Sequence, residues 1–74
     1  MELTIKGQTQ LVRSTTAGKT DNGTLNFMGG SFYLKNIDSK FKDGEFESVT
    51  LECVIGYESR ITPVGIVSVI PKKQ

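Results

Sequence analysis

The side chains of this 74-residue sequence that can act on another molecule are cations and aromatic rings, because the groups that ordinary catalysis recruits are nearly missing. There is no histidine and one cysteine, Cys53, which removes imidazole-based nucleophile and base pairs and most metal sites. The chain is therefore expected to be non-enzymatic, with no cofactor and no metal. Asp38, Asp43, Glu45 and Glu47 lie close together, but Lys40 and Lys42 sit among them and the spacing of a calcium loop is absent. Gly18-Lys19-Thr20 repeats the end of a phosphate-binding loop, yet that motif needs a glycine where Arg13 stands and a helix afterwards. Cys53 falls between Leu51 and Ile55 on one strand face, where a free thiol acts as a small hydrophobe.

The cations carry more information. A net charge of +1 gives no global attraction to a polyanion, so distribution decides. Asp38, Asp43, Glu45, Glu47 and Glu52 crowd into one stretch, whereas Lys6, Arg13, Lys19 and Lys35 occupy the first half of the chain. On an antiparallel pair, outward Lys6, Arg13, Tyr33 and Lys35 are expected to share a face with Lys19 at a hairpin tip. That combination pairs cations with phosphates and offers a ring on which an unpaired base stacks. Arg60 is a further candidate for phosphate contact, and Tyr57 and Phe27 are further candidates for stacking. The competing reading is that the lysines only solubilise a strand face and Tyr33 is a half-buried amphipathic ring.

These side chains must be placed by strands. Val, Ile and Thr together number 20 while Ala occurs once, a bias toward a pleated, half-buried surface. A first strand is read over residues 2–15, with Leu3 and Ile5 on one face and a bulge or bend at Gly7 that lets it serve two sheets. Residues 16–23 lack an apolar pattern and end in Asn22-Gly23, a strong turn dipeptide. A second strand is read over residues 24–36. Its inward parity changes from Leu25 and Phe27 to Phe32 and Leu34, which a bulge at Gly29-Gly30 would reconcile, turning Tyr33 and Lys35 to solvent. Residues 37–44 form a loop or one helical turn, with Phe41 as a plug. A third strand over residues 45–55 alternates cleanly, placing Val49, Leu51, Cys53 and Ile55 inward. After a turn at residues 56–59, residues 60–70 form the last strand or a pair of short ones, with Pro63 confining that part to an edge or bulge. Residues 71–74 form a polar tail.

Length fits one domain spanning residues 1–74. Short strands, a long bent first strand and glycine bulges describe an all-β fold, a small antiparallel OB-like five-stranded barrel, with an SH3-like barrel as the alternative. A domain of this size buries only about 60% of its unfolded surface, so a dimer or higher oligomer is expected. The opening residues lack the apolar run of a leader, the one cysteine forms no internal disulfide, and the apolar stretch at residues 64–70 is too short to span a bilayer. A cytoplasmic protein with no membrane partner is expected.

Arg13-Ser14 followed by a Gly-Lys hairpin, the aromatic run Ser31-Phe32-Tyr33-Leu34 and the closing Val69-Ile70-Pro71-Lys72 together span most of the chain. In these features the sequence resembles the single-stranded DNA-binding proteins of filamentous bacteriophages, OB-fold homodimers that coat replicating phage DNA in the host cytoplasm. The resemblance implies DNA rather than RNA as partner, with Arg13, Lys19 and Tyr33 as counterparts of the family's DNA contacts and the region from Tyr57 to Val64 as the dimer-building hairpin. One departure stands out. The family often has an aromatic just after the Gly-Lys, where this chain has Asp21, Asn22 and Gly23.

Overall fold

The structure, a computed structural model, describes residues 1–72, so the end of the polar tail lies outside the described residues. Five strands, β1 (Glu2–Arg13), β2 (Gly23–Phe27), β3 (Gly30–Leu34), β4 (Gly44–Ile55) and β5 (Ile61–Pro71), form one sheet in the order β3-β2-β1-β4-β5. Every paired neighbour is antiparallel. The sheet curls until β3 and β5 touch, and among the described residues no backbone ladder joins them. This is the expected OB-like barrel, left open along one seam.

β1 is the strand that serves both sides: Thr9 to Arg13 pair with β2, while Glu2 to Leu11 pair with β4. Its register against β4 slips between Lys6 and Thr9, and Gly7 there takes a φ of 102°, so the expected bulge is present. Leu11, Leu25, Leu34, Val49, Leu51 and Cys53 line the core, with Ile37 and Phe41 from the β3–β4 loop (residues 35–43) plugging one end.

Two local readings change. The stretch 24–36 is not one bulged strand but a hairpin, turning at Met28-Gly29 with Gly29 at a φ of 101° and Phe27 paired to Gly30. A turn reconciles the parity as a bulge would, because Leu25 faces Phe32 and Gly23 faces Leu34 across it. Asn22-Gly23 is not the hairpin tip. The β1–β2 loop (residues 14–22) turns at Ala17-Gly18, where Lys19 N–H donates to Thr16 O at 3.0 Å, and again where Asn22 N–H donates to Lys19 O at 3.0 Å. Gly23 is buried in β2, where a Cβ would stand 2.9 Å from Val12 O and 3.1 Å from Ile37 Cδ1.

β4 and β5 run past the barrel as an arm. Ile55 is 64% exposed, contrary to its inward place in the alternation, because the strand outlasts the core it packs on. The arm closes in a 3-10 turn at Tyr57–Ser59. It contributes to a long axis of 40 Å against a thickness of 20 Å and a radius of gyration of 12.1 Å, beside about 11 Å for a compact chain of this length. β5 is an edge strand, as Pro63 requires, and its register against β4 slips so that Val64 and Val67 are each left without a partner.

The close approach at Gly23 separates it from Gly30, where a Cβ would meet only the Phe27 ring at 3.6 Å. Urea unfolding should show G23A destabilised by about 1–3 kcal/mol. G30A should be neutral or stabilised by less than about 1 kcal/mol. Equal effects of the two would contradict the packing described.

Candidate nucleic-acid interface

The outer face of β2 and β3 is polar and open. Val12, Thr24 and Tyr33 stand opposite one another across three strands, and Gln10, Asn26 and Ser31 form the next row. Tyr33 is 56% exposed, and its hydroxyl accepts a hydrogen bond from Asn22 Nδ2 at 3.0 Å, which ties the ring to the β1–β2 loop. Lys35 follows one turn of the pleat later, also exposed. Asn36 next to it holds a left-handed φ of 58°, a conformation asparagine tolerates better than most residues.

Tyr33, Lys35 and Asn36 form one wall of a groove of about 370 Å³ at the open seam, and Thr62, Pro63 and Val64 at the root of the arm form the other. The arm carries Tyr57, 96% exposed, and exposed Arg60 near its tip. Its turn is fixed by Arg60 N–H donating to Tyr57 O at 3.1 Å and Gly56 N–H donating to Arg60 O at 2.8 Å. The seam thus brings a ring from β3 and a cation just past its end beside the strand that leads to a second ring and cation.

The other expected contacts are placed elsewhere. Lys19 is exposed on the β1–β2 loop, in the same loop as the Asn22 that holds Tyr33. Lys6 lies beside Gly7, Glu47, Ser48 and Ile70 near the β1 bulge and does not join Tyr33 and Lys35. Phe27 shares the inward face of β2 with Leu25 and packs on Phe32, with ring centroids 5.1 Å apart, so it offers no free ring face on the outer surface. Arg13 departs most from expectation. It continues the Thr9 and Leu11 face of β1 and points toward the end of the barrel, where its guanidinium donates to four main-chain carbonyls.

Two features escape a reading of the sequence. Asn22 looked like turn chemistry, and only the pairing of β2 with β3 brings it to Tyr33. Lys40 and Lys42 sit among carboxylates in the sequence, yet Asp38 Oδ1 accepts the Lys40 backbone N–H at 3.0 Å and Asp43 Oδ1 accepts the Arg13 backbone N–H at 2.7 Å. Both carboxylates are engaged with main chain rather than with the lysine ammonium groups.

Compared with known proteins, the chain matches no family model, no curated protein and no solved structure. With two tyrosines and no tryptophan, the protein's intrinsic emission reports this surface directly. Iodide should quench both Y57F, which leaves Tyr33, and Y33F, which leaves Tyr57, with Tyr57 the more accessible of the two. A Tyr33 signal resistant to iodide would place the ring inside.

Proposed function

We propose that the protein is a non-enzymatic, single-stranded DNA-binding protein with little sequence preference. The observation that carries this reading is the seam groove, where exposed Tyr33 and Lys35 lie side by side on an open β-barrel face. An OB-type barrel uses this face and its adjoining loops to hold oligonucleotides. Tyr33, and Tyr57 on the arm, would stack on bases, which tolerates any sequence because every base has a π face. Lys35, Lys19 and Arg60 would pair with phosphates. Lys6 is a peripheral contact at most, and Phe27 supports the fold under the site.

The resemblance to filamentous phage proteins adds the setting: coating single-stranded DNA during phage replication, in the host cytoplasm, as a homodimer. The arm supports the homodimer, since Ile55 and Ile61 pair across it and both stay exposed beyond the barrel. Burying apolar area of that kind is the main driving force of association. A second reading, a protein-interaction module without DNA affinity, is favoured by exposed Val64, Val67 and Ile70 on edge strand β5.

The two readings part in one titration. A labelled oligothymidylate followed by fluorescence anisotropy should bind at micromolar concentration or tighter, weaken with salt, and be displaced only poorly by duplex of equal length. Y33A should lose about 1–3 kcal/mol of affinity. K35A should lower the slope of log affinity against log salt by roughly 0.7. Absence of binding at low salt would overturn the DNA reading in favour of the interaction module. Sedimentation of I55T/I61T should show a shift toward monomer, and an unchanged oligomer would remove the arm from the interface.

A further inference from the structure

Arg13 has the chemistry of a phosphate ligand and is not free to act as one. Its Nη1 donates to Phe41 O at 2.5 Å and Asp38 O at 3.2 Å, and its Nη2 to Thr20 O at 3.0 Å and Ile37 O at 3.2 Å. Nε is buried without a partner among the described residues. Its four terminal N–H groups are thus matched by four carbonyls, and a phosphate would have to displace them. The carbonyls belong to two loops, one to the β1–β2 loop and three to the β3–β4 loop. Two further bonds tie the same region: Ile37 N–H to Asp21 O at 2.7 Å, and the Arg13 N–H to Asp43 Oδ1 at 2.7 Å.

Two of the four carbonyls Arg13 holds, those of Thr20 and Phe41, belong to residues next to a lysine. Lys19 precedes Thr20, and Lys40 and Lys42 flank Phe41. Phe41 is buried, and the Lys40 ammonium lies over its ring, 5.2 Å from the centroid. Lys42 lines a cleft of about 420 Å³ between the two loops, with Ser14, Thr20 and Ser39 supplying hydroxyls and Asp21 and Asp43 supplying carboxylates. From residue 13 to residue 43 the chain has five cations and three carboxylates, whereas from residue 44 to residue 60 it has four carboxylates and Arg60 alone. The stretch that holds both loops is therefore net positive by two, and the stretch after it net negative by three.

We propose that Lys19, Lys40 and Lys42 form a single phosphate-contacting group for the backbone of a single-stranded nucleic acid, and that Arg13 is the positioning residue that locks their two loops together. This rests on the DNA reading above and extends it around the end of the barrel. Arginine suits the task because its planar fork spans four acceptors at fixed angles, which an ammonium group cannot do. A lysine at position 13 would keep the charge and lose the clamp.

That difference sets the experiment: oligothymidylate anisotropy over a salt series with wild type, K40A/K42A and R13K, together with amide hydrogen exchange on the DNA-free proteins. K40A/K42A should lower the salt slope by about 1.4, two contacts at roughly 0.7 each, with loop exchange unchanged. R13K should speed exchange at the Ile37 and Phe41 amides and weaken binding at least fivefold despite its conserved charge. An unchanged slope in K40A/K42A would overturn the lysine group, and this arm stands even if R13K fails to fold. R13K binding like wild type would overturn the positioning role. A wild type that does not bind at all sinks the DNA reading itself, a result distinct from either.

Discussion

Carbonyl groups at the closed-off end of a small barrel need donors, and Arg13 supplies them. The β1–β2 and β3–β4 loops have little apolar surface of their own beyond Ile37 and Phe41, and a buried carbonyl left without a partner costs about 1–3 kcal/mol. One guanidinium serves four loop carbonyls at once, those of Ile37 and Phe41 part-buried and those of Thr20 and Asp38 at the surface. The plug of Ile37 and Phe41 stays seated because their carbonyls are held, and Gly23 stays glycine-sized because the plug and Val12 crowd it. The position of Tyr33 follows from the same arrangement, since its hydroxyl is tied to Asn22 in a loop that Arg13 grips two residues earlier.

Period-two alternation made the strands legible, and with them the core residues Leu25, Leu34, Val49, Leu51 and Cys53. Alternation is local, and the errors fall where pairing is decided at a distance. Gly29-Gly30 offered a bulge or a turn with the same consequence for side-chain direction, so the pattern alone had no means of choosing. Ile55 kept the inward parity of its strand after the barrel had ended. For Arg13, its neighbours in sequence predicted a solvent-facing cation, but its side chain continues the inner face of β1 and meets carbonyls brought from residues 20, 37, 38 and 41.

The candidate site was legible in part for the same reason. Tyr33 and Lys35 could be assigned to the outside from parity, and both are exposed. Their meeting with Thr62, Pro63 and Val64 depends on how far the sheet curls, which no stretch of sequence records. The scattering of Lys6 away from the other cations has a topological cause. β2 separates β1 from β3, and the bulge at Gly7 turns the first half of β1 to a different side of the barrel from its second half.

The slipped register of β5 bears on what happens to this chain at high concentration. An outer edge of unpaired amides and carbonyls is a template on which identical chains can stack without limit. Here a copy laid along β5 would have to reproduce two inserted residues, Val64 and Val67, only three positions apart. A straight strand matches such an edge for a few residues and then falls out of step. The interruption works against open-ended growth along this edge.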